Sequence, residues 1–147
     1  MGLVPTAAFG LRKLSSSYTG SAIRVRRSSD NTEQDIGFTG NDLNTGALMT
    51  FVGSGNGFVS IWYDQSGNGR NAAQTTQGNQ PRIVSAGVMD TVSNGKPGIR
   101  WFDTNGSRFL QTAVAPFGSA NEMTIFLVHR EMARQMNVAW TLANDNQ

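Results

Sequence analysis

The stretch Trp62–Ala72, Trp-Tyr-Asp-Gln-Ser-Gly-Asn-Gly-Arg-Asn-Ala, constrains the fold of this chain more than any other. A hydrophobic strand, Gly57–Trp62, runs into it, and a polar run, Gln74–Gln80, leaves it. Its centre, Asp64–Gly69, is dense turn chemistry. Gly and Asn tolerate positive φ, while Asp and Ser side chains bond nearby backbone N–H groups. Such a loop fixes two strands in register. It also offers Tyr63, Asp64 and Asn71 to a ligand, and these are the first candidate binding residues.

Similar punctuation divides the rest of the chain. Ser28–Asn31, Gly53–Gly57, Asn94-Gly95-Lys96-Pro97 and Asp103-Thr104-Asn105-Gly106 are turns by their residues. Between them lie short segments with strand patterning. Ala22–Arg27 alternates, with Ala22, Arg24 and Arg26 on one side and Ile23, Val25 and Arg27 on the other. Glu33–Phe38 follows with Ile36 and Phe38 inward, which makes the two segments a hairpin. Phe58–Tyr63, Pro81–Val84, Val88–Val92, Ile99–Phe102, Phe109-Leu110 and the nearly continuous apolar Met123–Val128 read as further strands. Asn137–Leu142, with Trp140, reads as a last one. Two short helices interrupt them. One is Ala7–Leu14, from the spacing of Ala7, Leu11 and Leu14. The other is capped by Asp42 and turns Leu43, Ala47, Leu48 and Phe51 to one face. Many short strands with Gly/Asn turns imply an all-β fold, a β-sandwich with one or two short helices, as a single domain over 1–147. The most core-like strand, Met123–Val128, stands close to the last residue given, so the sandwich is expected to be completed by another chain or by further sequence.

Charge and composition exclude several function classes. Twelve Lys and Arg against ten Asp and Glu leave a net charge of only +2, and no nucleic-acid-binding motif accompanies the basic residues. The sequence has no cysteine, which excludes disulfide scaffolds and thiolate metal sites. No stretch has the length and apolarity of a membrane span. The N-terminus does not follow a signal-peptide pattern, and Met1-Gly2 with Thr6 fits myristoylation only by chance. No cofactor and no resident metal are implied.

The candidate sites each have a plainer alternative. Retaining glycoside hydrolysis needs two carboxylates about 5–5.5 Å apart. Asp30, Asp64 and Asp103 sit in turns, Asp42 reads as a cap, and Asp35 faces an Arg-rich strand that supplies a cross-strand ion pair with Arg24 or Arg26. The remaining carboxylates are Glu33, Asp90, Glu122, Glu131 and Asp145, and no complete acid/base pair is expected. Asp64, Ser66 and Asn68 alternate as calcium-loop ligands do, but Thr75 stands where a closing bidentate acid belongs, so a structured turn is the expectation. His129 is the single histidine and reads as a strand-end residue. Trp62, Trp101 and Trp140 read as core, leaving Tyr63 as the aromatic best placed to meet a ligand. Arg24, Arg26 and Arg27 form a basic cluster that suits an anionic sugar or a neighbouring subunit. The plainer reading of the cluster is a solvated strand face with local ion pairs.

Several blocks together resemble one family. They are Leu11-Arg12-Lys13-Leu14, Tyr18-Thr19-Gly20, Ile23–Asp30, Gln34–Phe38, Ala47-Leu48 with Phe51, Trp62–Gly69, Gln80–Val84 and Asn94–Pro97. Over roughly residues 7–103 they resemble the N-terminal half of the α-L-arabinofuranosidase B catalytic domain. The resemblance implies a concanavalin-A-like (jelly-roll, laminin-G-like) sandwich. Within that family the chain looks closest to non-enzymatic modules of bacteriophage virion and tail proteins. In the enzymes the nucleophile and acid/base lie in the C-terminal half of the sandwich, and cysteines lie near the sugar site. No residue here therefore inherits a catalytic role. The resemblance implies a structural or adhesion module of a virion (capsid decoration, fibre or tail). Its partners would be other virion subunits or copies of itself, with a cell-surface glycan as ligand. A fragment of an arabinofuranosidase-like hydrolase is the alternative.

Overall fold

A computed structural model describes residues 5–92, 94–103 and 106–113. Its order is β1 (Ile23–Arg27), β2 (Glu33–Ile36), β3 (Phe38–Thr39), β4 (Asp42–Leu43), α1 (Thr45–Val52), β5 (Gly57–Trp62), β6 (Ala72–Ala73), a 3-10 turn (Gln77–Asn79), β7 (Arg82–Ser85), β8 (Val88–Met89), β9 (Phe102–Asp103), β10 (Gly106–Ser107) and β11 (Gln111–Thr112). The all-β class read from the sequence is what the structure shows: antiparallel sheets with, among the described residues, one α-helix. That helix is too short to cross a membrane.

β5 is the hub of the main sheet. Its Val, Ile and Trp residues suit a pleated surface packed on both sides. It pairs with β1 along one edge, and along the other with β6 near Trp62 and with β7 near Gly57. β1 pairs in turn with β2 through Ile23↔Ile36, Arg24↔Asp35, Val25↔Gln34 and Arg26↔Glu33, which is the hairpin expected from the alternation. Between β1 and β5 the register shifts, and Ser60 becomes the extra, buried residue of a bulge.

The core lies where α1 and the β3–β4 hairpin cover the sheet. Ile23, Val25, Ile36, Val59, Ile83 and Val84 pack there with Leu43, Leu48, Phe51 and Val52. Full burial of each such side chain stabilises the fold by about 1.5–3 kcal/mol. Gly57 allows the close approach of helix and sheet. A Cβ there would stand 2.9 Å from Val52 Cγ2 and 3.3 Å from both Val25 and Val84.

The helix is capped by Asn44, whose Oδ1 accepts from Ala47 N at 3.0 Å. Asp42, the expected cap, lies in β4, and its side chain pairs with Lys96 instead. Ala7–Leu14 is not a helix. Arg12 bridges Asp42 and Lys13 N donates to Asn41 O, so this backbone finds its partners in other parts of the chain. The strand expected over Ile99–Phe102 reduces to a bridge at Arg100 followed by the short β9–β10 hairpin. Pairing near Phe109-Leu110 begins at Gln111. Val88–Val92 is a strand only over Val88–Met89, with Thr91 bridging Pro97. The strands expected over Met123–Val128 and Asn137–Leu142, with His129, Trp140, Glu122, Glu131 and Asp145, lie outside the described residues.

Candidate functional site

The loop after β5 is held by its own side chains. Asp64 is buried, and both of its carboxylate oxygens are occupied. Oδ1 accepts from Ala8 N at 2.9 Å and Ser66 N at 2.8 Å. Oδ2 accepts from Ser66 Oγ at 2.8 Å and Arg70 N at 3.0 Å. Burial pushes the Asp64 pKa up, but the hydrogen bonds from Ser66, Ala8 and Arg70 outweigh it and hold the group below the usual carboxylate range. Asn71 Oδ1 accepts from Asp64 N at 3.0 Å and closes the loop from its far side. Gly67 and Gly69 take φ of 89° and 69°, the left-handed region that the turn requires.

Gln65 fastens this loop to the N-terminal segment. Its Oε1 accepts from Leu14 N at 2.9 Å, and its Nε2 donates to Gly10 O at 2.9 Å and Arg12 O at 3.1 Å. Its backbone N donates to Ala8 O at 2.7 Å. Asn68 Nδ2 reaches Thr6 O at 3.0 Å and Pro5 O at 3.2 Å. The loop is therefore a clamp on residues 5–14, and this function accounts for Asp64, Gln65, Ser66 and Asn68. The calcium alternation of Asp64, Ser66 and Asn68 is used internally. A cation centred there would have to displace the donors now held by Asp64. Among the described residues no group of three or more His, Asp or Glu is placed to hold a metal.

Tyr63 points elsewhere. Its hydroxyl donates to Asp35 Oδ1 at 2.7 Å. Arg24 grips the same carboxylate in bidentate fashion, Nε to Oδ1 at 2.7 Å and Nη2 to Oδ2 at 3.0 Å. This is the cross-strand ion pair expected from the sequence. The Arg24 hydrogen bond is the main cause that lowers the Asp35 pKa, and the same bond raises that of Arg24. Burial, together with the bond to Asp35, pushes the Tyr63 hydroxyl up to about 12. Arg24, Asp35 and Tyr63 thus form a partly exposed polar and aromatic cluster on the sheet. Asn71 borders two surface depressions of about 450 and 200 Å³, the larger also lined by Gly69, Arg70 and Ala113.

The basic cluster splits three ways. Arg24 pairs with Asp35, and Arg27 with Asp30 at 2.6 Å. Arg26 does not lie on a solvated face: it is only 6% exposed. Its Nε donates to Gln80 Oε1 and its Nη1 to Asn31 Oδ1, each at 2.7 Å. Trp62, partly buried, packs between Phe9 and Trp101 at tilted angles and against the core. Sequence reading missed Gln65 and Gln80, both buried amides with partners far along the chain. Gln80 Nε2 also donates to Gln74 O, so a single polar residue orders both sides of β7's approach.

The model of the alpha-L-arabinofuranosidase B catalytic family matches residues 3–115. The chain belongs to this family. Among solved structures it is similar to a GH54 α-L-arabinofuranosidase soaked with a cyclic sulfate inhibitor. Identity is 30% over 54% of this chain and 20% of that one, with a TM-score of 0.49. It is also similar to an arabinofuranosidase complexed with arabinofuranosyl-α-1,2-xylobiose, at 28% identity over 65% of this chain and 22% of that one, with a TM-score of 0.47. The chain spans about a fifth of the length of these arabinofuranosidases. No curated protein sequence matches it.

Proposed function

We propose that this member of the arabinofuranosidase B family is a non-catalytic structural or adhesion module of a bacteriophage virion. One observation supports the non-catalytic part: five of the described carboxylates are already engaged. Asp30 and Asp35 are bound to arginines on the sheet, Asp90 to Arg82, Asp42 to Lys96, and Asp64 to backbone N–H groups. A general acid needs a raised pKa. Asp30, Asp35 and Asp64 are instead held below their ordinary range, with Arg27, Arg24 and the loop hydrogen bonds as the favouring partners. The virion setting extends the sequence resemblance drawn above, in which the chain looks closest to the non-enzymatic phage modules of this family. There the partners are other virion subunits or copies of the chain. Tyr63 with Arg24 and Asp35, and Asn71 beside its depression, are the surfaces for a cell-surface glycan.

The family match itself favours a second reading, a segment of an arabinofuranosidase-like hydrolase. Hydrolysis of 4-nitrophenyl α-L-arabinofuranoside separates the two. No release of nitrophenol above background by folded protein is the expected result. Turnover that is lost in Asp35→Asn or Asp64→Asn would overturn the non-catalytic reading. A glycan array then tests adhesion, with Tyr63→Ala as the variant expected to lose any signal.

A further inference from the structure

The Tyr63 cluster and the depressions beside Asn71 lie on one face of one sheet. Cα pairing runs Asp35↔Arg24↔Ile61↔Ala73↔Gln111, from β2 through β1, β5 and β6 to β11. Directly paired residues of antiparallel strands share a face. Their chain neighbours Ile23, Trp62 and Ala72 turn to the other side, where the core lies. Tyr63 stands two residues after Ile61 and Asn71 two before Ala73, so both belong to the outer face, one step along the strands. The bond from the Tyr63 hydroxyl to Asp35 at 2.7 Å agrees with that placement. From β2 to β11 the row crosses the strands in sheet order, a span of about 19 Å at about 4.8 Å per strand.

The strip changes character along its length. At the β2 end stand an aromatic ring and an ion pair, Tyr63 with Arg24 and Asp35, in which the two charges satisfy each other. In the middle Ile61 and Ala73 are apolar and half-buried. Beyond them, the short side chains of Ala73 and Ala113 leave the depression of about 200 Å³, with Thr75 and Gln111 on its walls. The larger depression meets it at Asn71 and Ala113. Its volume of about 450 Å³ lies within the range of small-molecule clefts, about 300–1,000 Å³. Asn71 uses Oδ1 on Asp64 N, which leaves its Nδ2 as a donor. Thr75 and Gln111 are exposed, and their side chains bond to no described residue. Arg70, which borders the larger depression, has a partner of its own and takes no part in the site.

We infer that this strip binds a neutral oligosaccharide laid across the strands, with one sugar ring on Tyr63 and hydroxyls farther along bonded to Asn71, Thr75 and Gln111. This ligand class rests on the adhesion reading above and deepens it. A sugar chain presents C–H surfaces and hydroxyl groups in alternation. The Tyr63 ring and the Ile61–Ala73 floor suit the first, and two amides with a hydroxyl suit the second. Because Arg24 and Asp35 are bonded to each other, they offer a charged ligand no unpaired partner. An open face covers each sugar on one side only, so affinity comes from length. A single sugar binds weakly there, and a chain that reaches both ends binds more tightly.

The test is a titration of the whole chain followed by NMR, read at the backbone amide of Tyr63 and the side-chain amides of Asn71 and Gln111. The probes are maltotetraose, cellotetraose, xylotetraose and mannotetraose, each beside its disaccharide, with tetragalacturonate as the acidic counterpart. Saturable shifts at both ends of the strip are expected with at least one neutral tetrasaccharide, which binds about tenfold or more tighter than its disaccharide. Gln111→Ala is expected to weaken that tetrasaccharide by about two- to tenfold, the loss of one neutral hydrogen bond. Gln34→Ala removes an exposed amide from the other side of β2 and is expected to leave binding unchanged. Equal binding of disaccharide and tetrasaccharide, a folded Gln111→Ala that binds like wild type, or tighter binding of tetragalacturonate would each overturn the strip. Shifts confined to Tyr63 would overturn it too, while leaving adhesion through Tyr63 standing. Absence of saturable shifts with every probe overturns it whether or not a variant folds, and leaves the non-catalytic reading to the nitrophenyl arabinofuranoside assay.

Discussion

Replacing Gln65 by Ala removes the clamp at its most connected point. The side chain makes three hydrogen bonds to the N-terminal segment: one accepted from Leu14 and two donated to Gly10 and Arg12. It is only 5% exposed, so water replaces these bonds poorly. Each such bond contributes about 0.5–1.5 kcal/mol net, and the backbone groups left behind cost more where they stay dry. The expected loss is therefore about 2–4 kcal/mol, lowered somewhat if the segment frays and hydrates. For a domain of this size, about 2–4 °C of Tm is lost per kcal/mol, which places the fall at about 5–15 °C. Urea unfolding followed by tryptophan fluorescence measures it, because Trp62 packs against Phe9 of the clamped segment. Gln65→Glu is the informative companion, since it keeps the acceptor for Leu14 N but loses both donations. An unfolding free energy within about 0.5 kcal/mol of wild type in Gln65→Ala, the range of a neutral surface change, would refute the clamp.

Asp64 and Asp35 have folded pKa values below their unfolded ones, so their stabilisation is present above the unfolded carboxylate pKa near 4 and is lost as pH falls through the folded values. The urea midpoint is expected to drop between about pH 5 and pH 2, and the drop is expected to shrink in Asp64→Asn, which begins from a lower midpoint at pH 7. Tyr63, raised to about 12, contributes stability below its unfolded pKa near 10 that is lost as pH rises through 12. Ultraviolet titration is expected to show a tyrosine ionising near 12 that is absent in Tyr63→Phe and shifts downward in Asp35→Asn. Gly57→Ala drives a methyl into Val52, Val25 and Val84 and is expected to cost about 1–3 kcal/mol by overpacking, read from the same urea curves.

Local alternation and turn chemistry made much of the sheet legible. The β1–β2 hairpin, the strand at Gly57–Trp62 and the pairing of Arg24 with Asp35 all follow from residues that act on near neighbours in the ladder. The helical spacing of Ala7, Leu11 and Leu14 misled, because that segment bonds to Gln65, Asp64 and Asn41, which lie far along the chain. Asp42 and Asn44 are both good caps by type. The choice between them was made by β4, which takes Asp42 into a ladder with Thr39. Arg26 looked solvated because its strand alternates, but Gln80, from the segment before β7, and Arg108, from the segment before β11, lie over it. Gln65 gave no signal, since one amide in a turn-rich run looks like any other. Its role appears only when a segment more than fifty residues away is brought against it.

Native-state amide hydrogen exchange tests the clamp most directly. The N–H groups of Ala8, Leu14, Ser66 and Arg70 all donate to side chains of Asp64 or Gln65. They are expected to exchange slowly and together, with protection approaching that of β5, and to lose it together in Gln65→Ala. Exchange of these four at unprotected rates in the wild-type protein, while β5 remains protected, would show that the loop does not hold the N-terminal segment and would contradict the structural role assigned to Trp62–Ala72.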